Sequence, residues 1–153
     1  MGSAPPSETS RRFELTLPAT RAGFAQGFDE LRRGLGSLPL DPGTRFAAEL
    51  VFEEVVANVV RHGATPGTEV RISLSAELEG GRLRLTFLDN GLSWDPSDRS
   101  DPPPPTDLEH TQIGGRGLLL IRSASSSVVY QRTPEGRNRL IVVVRGMRQA
   151  APR

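Results

Sequence analysis

Cysteine is absent from the 153 residues, which excludes disulfides and thiolate metal sites and fits a reducing cytoplasm. Histidine occurs twice, as His62 and His110, too rarely for a histidine-rich metal centre. No apolar run approaches the roughly 20 residues that span a bilayer. The opening "MGSAPPSETSRR" also lacks the apolar core of a signal peptide, so neither membrane insertion nor secretion is expected. Charge of one sign is missing too: 19 basic residues face 18 acidic ones for a net +1, which gives no basic surplus for nucleic acid or an anionic membrane. What remains, 36% hydrophobic and 24% charged, is the balance of one globular domain with a core.

Residues 1–11 are small, polar and Pro-containing and read as a flexible tail. "RFELTLP" alternates through Phe13, Leu15 and Leu17, as a half-buried strand does. Thr20 is placed to cap a helix from Arg21 to about Leu35, along which Phe24, Phe28, Leu31 and Leu35 recur at helical spacing. A second helix has Asp41 as N-cap, Pro42 at its first position and Gly63 at its stop. "TEVRISLSAEL" and "RLRLTFLD" then alternate on either side of Gly80-Gly81, a hairpin turn signal. Residues 90–117 hold "DPPPPTD" and end in "GGRG", a long stretch without periodicity of the kind that is functional or disordered. A helix from Leu118 to about Ser125 and two strands, "SVVYQRT" and "NRLIVVVRG", follow. The order predicts helices layered on one face of a mainly antiparallel sheet.

Three stretches carry chemistry. In "ELVFEEVVANVVRHGA", at about 100° per residue, Phe52, Val55, Val56 and Val59 share one side and Glu54, Asn58 and Arg61 nearly the opposite one, with Glu53 on the flank. The polar side also holds Ala47, Leu50 and Val51, so it reads either as a solvated stripe or as a site wall. In the second case the carboxylate serves as a base and the amide oxygen as a ligand for a hard cation such as Mg²⁺. In "FLDNGLSWDP", Asp89 ends a strand beside Asn90-Gly91. That is either a type I′ hairpin turn or, since no strand follows, a carboxylate accepting from a ligand that approaches over glycine. In "IGGRGLLLI", glycines before a helix either make a flexible linker or present backbone N–H groups to phosphate, though neither Walker A nor the Rossmann fingerprint is matched.

In this order the three stretches resemble the nucleotide site of the GHKL ATPase superfamily, with "EEVVANVVRHG" as N box and "DNGLSWDP" and "GGRGLLLI" as glycine boxes. Within it the chain most resembles the bacterial anti-sigma factor serine/threonine kinases of the partner-switching type, over about Asp41 to Val144. The resemblance implies the Bergerat fold, an α/β two-layer sandwich with helices on one face of a mixed, mainly antiparallel sheet. It implies one ATP-binding domain over residues 12–146, an ATP lid over 97–117 and a tail over 147–153. By residue, it implies Glu54 as catalytic base, Asn58 as Mg²⁺ ligand, Asp89 reading the adenine amino group and Gly91 admitting the base. Gly115, Arg116, Gly117 and Leu118 fall in the phosphate-holding loop, and His62 matches a histidine often found at the end of the N box. Arg116 either stands in for the basic residue that some family kinases place near Ile113 or faces solvent. Ala57 replaces a common threonine, and Ser93-Trp94 replaces Pro-Phe.

The implied function is an ATP- and Mg²⁺-dependent serine/threonine kinase that phosphorylates a serine on an STAS-type anti-sigma-factor antagonist and sequesters a sigma factor, as a cytoplasmic homodimer. The alternative is a non-catalytic ATP-binding regulatory module, which the unusual lid favours and Glu54 opposes. The ATPase half of a histidine kinase ranks below both, since neither His62 nor His110 lies on a dimerisation helix. An ATP-free interaction domain would leave the three ordered motifs unexplained.

Overall fold

Capping and alternation set the elements. The computed structural model describes residues 11–63, 66–93 and 120–145. Strand β1 (Arg12–Pro18) leads into helix α1 (Arg21–Gly36), where the Thr20 hydroxyl accepts from the Gly23 N–H at 3.0 Å. Helix α2 (Pro42–His62) starts at Asp41, whose carboxylate accepts from the Thr44 N–H at 2.7 Å and the Thr44 hydroxyl at 2.8 Å. These bonds satisfy N–H groups that a helix start leaves without partners, and they hold the Asp41 carboxyl below its ordinary value.

Strands β2 (Arg71–Glu79) and β3 (Arg82–Asp89) form the expected hairpin, closed by Gly80 and Gly81 at φ 58° and 74°, which glycine adopts without a Cβ penalty. Strands β4 (Ser125–Arg132) and β5 (Asn138–Val144) complete a sheet of order β1-β2-β3-β5-β4. All four pairings are antiparallel, so the mixed sheet of the expectation has no parallel pair among the described strands. The helix expected to run to about Ser125 is helical at residues 120–123, and Ser125 already belongs to β4. Serine is a poor helix former, and the Ser125 hydroxyl bonds back to the Ile121 carbonyl, closing the helix where the strand begins.

Alternation sends Leu15 and Leu17, Ile72 and Leu74, Leu83 to Phe87, and Leu140 to Val144 in steps of two onto one face. There they meet α2 through Phe52, Val55, Val56 and Val59, all at most 5% exposed. Phe24 and Phe28 of α1 close over Phe52 with ring centroids 5.9 and 6.0 Å away. No helix among the described residues is long and apolar enough to cross a membrane.

Helix α1 lies so close to β1 that a Cβ on Gly23 would sit 2.0 Å from the Pro18 carbonyl oxygen. That oxygen belongs to backbone and cannot swing away. Alanine in place of glycine favours a helix by about 1 kcal/mol, but overpacking costs about 1–3 kcal/mol or more, so the clash wins. Gly23→Ala should therefore destabilise the fold by about 2 kcal/mol, lowering Tm by roughly 4–8 °C. Gly36→Ala, with nothing within 4 Å, should leave Tm unchanged or slightly raised. Thermal melts of the two variants check this, and equal effects would contradict the close approach.

Candidate functional site

Helix α2 presents two polar side chains one turn apart on a face otherwise lined by Ala47 and Val51, which are buried. Asn58 is 4% exposed, so it is a buried amide in a helix of valines and not part of a solvated stripe. Glu54 is half-buried, while Glu53 on the flank and Arg61 a further turn along are exposed. Glu54 borders a cleft of about 450 Å³ between the helices, lined also by Arg21 and Phe24 of α1 and by Glu53, Ala57 and Arg61 of α2. Asn58 and Asp89 do not line it. Glu54 thus borders an open cleft, one turn before the buried amide on the same helix. His62 is the last residue of α2 and is exposed.

The second part of the site is the end of β3. Asp89 continues the inward alternation of Leu83, Leu85 and Phe87 and is 6% exposed. Its Oδ1 accepts from the Gly91 N–H at 2.8 Å and from Asn138 Nδ2 at 2.9 Å. Burial raises the Asp89 carboxyl above its ordinary value, while the Asn138 amide, the Gly91 N–H and the Arg132 guanidinium pull it back by favouring the ionised form. The hairpin reading of Asn90-Gly91 does not hold. Neither residue has a positive φ, as a type I′ turn requires. The Asn90 side chain instead prolongs the sheet edge, accepting from the Arg71 N–H at 2.7 Å and donating to the Glu69 carbonyl at 3.0 Å.

Glycine at position 91 answers to space. A Cβ there would lie 3.0 Å from both Asp89 Oδ1 and the Gly63 Cα, because the turn packs on the end of α2, with the Leu92 N–H 3.3 Å from the Gly63 carbonyl. The stop of α2 and the start of the Gly91 turn are therefore in contact.

Residues that sequence reasoning passed over complete this corner. Asn138 opens β5 opposite Asp89 and is 3% exposed. Its Nδ2 also donates to the Leu92 carbonyl at 2.7 Å and the Gly91 carbonyl at 3.3 Å. Its Oδ1 accepts from the Tyr130 hydroxyl at 2.5 Å and Arg132 Nη1 at 2.8 Å. The available signal was register: Asn138 occupies the inward phase of a strand that otherwise buries Leu140, Val142 and Val144. Gly115, Arg116, Gly117 and Leu118, together with Trp94, His110, Ile113 and the expected lid at 97–117, lie outside the described residues.

The donor set fits a nucleotide with its metal. A carboxylate with one oxygen fixed from behind suits an amino group on a base. Mg²⁺ commonly takes one or two protein oxygens together with substrate phosphates. Asn58 could supply one such oxygen, and no group of three or more His, Cys, Asp or Glu side chains that could hold a metal occurs among the described residues.

The antiparallel sheet carries two helices on one face, with an acid and an amide one turn apart on the long helix and an aspartate at the end of β3, which accords with a domain of the ATPase class. The chain belongs to the histidine kinase-like ATPase domain family, whose pattern it matches over residues 17–144. It is 35% identical over 88 residues to the serine/threonine-protein kinase BtrW of Bordetella bronchiseptica. That match takes in 58% of this chain and 62% of the relative's length. Among solved structures, the RsbU and RsbW domains of Rv1364c from Mycobacterium tuberculosis superpose with a TM-score of 0.62 at 20% identity, covering 91% of this chain and 33% of that one. The SiaB-SiaC complex from Pseudomonas aeruginosa gives a TM-score of 0.53 at 15% identity, covering 88% and 91%. At these identities the two structures establish the fold.

Asp89→Asn separates function from stability. Because burial outweighs its partners, ionising Asp89 costs folding stability as pH rises from the unfolded-chain value through the raised one. An asparagine accepts the same two bonds without a charge. The variant should therefore melt higher than the parent at pH 7, and the difference should shrink as pH falls through that window. Its affinity for ATP should drop by roughly tenfold to a hundredfold, the scale of one hydrogen bond to a charged group. Calorimetry with ATP and melts across pH test both halves, and unchanged affinity would remove Asp89 from the site.

Proposed function

We propose that this chain is an ATP- and Mg²⁺-dependent protein serine/threonine kinase of the partner-switching type. Its substrate is a serine on an STAS-type anti-sigma-factor antagonist, and it sequesters a sigma factor as a homodimer. The observation that carries the reading is the placement of Glu54 and Asn58 one turn apart on α2, one bordering the open cleft and the other buried. The similarity to a serine/threonine-protein kinase supports phosphoryl transfer, and the fold neighbour solved as a two-protein complex accords with a protein partner.

In this reading Asp89 accepts from the adenine amino group, and the Asn58 amide oxygen helps hold Mg²⁺ at the phosphates. The ion, when bound, offsets phosphate charge. The substrate hydroxyl enters from the cleft between α1 and α2. Glu54 takes its proton as the oxygen bonds to the terminal phosphorus and ADP leaves. Catalysis by such a site is mostly positioning, and one rigid helix holds both groups.

Glu54→Gln keeps shape but cannot accept the proton. Transfer should fall by roughly a hundredfold to ten-thousandfold, with ATP affinity little changed. Asn58→Ala removes the oxygen ligand, so Mg²⁺-dependent ATP binding and transfer should fail together. The measurement is phosphate transfer to a serine-bearing antagonist, with ATP binding followed in parallel. Unchanged transfer in Glu54→Gln would exclude the base. A parent that binds ATP tightly yet transfers nothing to its supplied partner would be a non-catalytic regulatory module.

A further inference from the structure

The Asn138 amide is saturated. Its two hydrogens face three acceptors, Asp89 Oδ1, Leu92 O and Gly91 O, and its oxygen takes two donors, Tyr130 OH and Arg132 Nη1. Those two donors also settle which way the amide points, because the flipped group would set its oxygen against a carboxylate and two carbonyls. Nothing is left over for a ligand. What the amide does is hold Asp89 Oδ1 from behind and tie the Gly91-Leu92 backbone to β5, which leaves Oδ2 as the oxygen without a hydrogen bond to any described residue.

Resting on the nucleotide-site reading above, we propose that Asn138 is the positioning residue for base selectivity: clamped by Tyr130 and Arg132, it presents Asp89 as an acceptor for the amino group of adenine. The selectivity is then set from β4 and β5, two strands that carry none of the three sequence motifs. Arg132 serves twice, since Nη1 also lies 3.3 Å from the Gly91 carbonyl and its charge favours ionised Asp89. Ser93, whose hydroxyl is 3.3 Å from the Tyr130 hydroxyl, links the same clamp to the segment that follows the turn.

The test compares ATP with purine riboside triphosphate, which lacks only the amino group, by calorimetry on the full chain. The parent should prefer ATP by roughly tenfold or more, the discrimination expected when a site built for a hydrogen bond meets an analogue without the partner. In Asn138→Ala that preference should collapse to within about threefold, with affinity for the analogue nearly unchanged, because only the reading of the amino group is lost. Parallel weakening of both nucleotides, with the preference kept, would make Asn138 a merely structural residue and overturn the inference while leaving the site intact. A parent with no preference would overturn both the inference and the assignment of Asp89. Should Asn138→Ala not fold, Tyr130→Phe combined with Arg132→Met keeps the buried residue and takes both donors from its oxygen, so that the amide is no longer clamped behind Asp89. Preference should then drop by about fivefold or more, and full retention would equally overturn the proposal.

Discussion

The corner where β3 and β5 lie side by side rests on one hydrogen bond, from Asn138 Nδ2 to Asp89 Oδ1 at 2.9 Å. Both residues occupy inward positions of strands that otherwise bury aliphatic side chains and Phe87, and both are less than 10% exposed. A carboxylate there is costly unless it is met by donors, and an amide there is costly unless all its groups are paired. Each residue relieves the other, and the pairing exists only because the sheet order sets β5, not β4, next to β3. Had consecutive strands paired, Asp89 would face a different neighbour.

From that corner the constraint passes to α2. The Gly91 turn is held by Asp89, Asn138 and Arg132 on one side, and on the other it rests on Gly63, where an added Cβ on Gly91 would lie only 3.0 Å away. The helix that carries Glu54 and Asn58 therefore ends against the turn that carries Asp89. Its opposite face is fixed by Phe52, Val55, Val56 and Val59 in the core. Rotating the helix to move Asn58 would expose those side chains, at about 1.5–3 kcal/mol for each large one. Core packing thus acts as the positional support of the polar groups.

Chemistry divides along the same line. Asp89 is buried and amide-backed, suited to recognition, and Glu54 is half-buried beside a cleft, suited to exchange a proton with something that enters. Both residues lie within the stretch that matches the histidine kinase-like ATPase domain family. The relative that is 35% identical is a serine/threonine-protein kinase, and the stretch in common amounts to 62% of it.

Much of this was legible in the chain. Strand alternation, the Asp41 and Thr20 caps, the Gly80-Gly81 turn and the two faces of α2 are local patterns, fixed by backbone sterics and by the period of each element. Glu54, Asn58 and Asp89 stood out because they break those patterns at motif spacing. The β4 start was misplaced by two residues because short polar runs such as Ser125-Ser126-Ser127 carry no period. Gly63 reads as a helix stop and Gly91 as a turn residue, whereas an added Cβ on Gly63 would meet the Val59 carbonyl oxygen of its own helix and one on Gly91 would meet Asp89 and Gly63. What tertiary structure alone decided is which distant residues meet. Asn138 lies 49 positions from Asp89, and Tyr130 and Arg132 reach it from a third strand. No local period encodes strand order, which follows from how the whole sheet closes its core over α1 and α2.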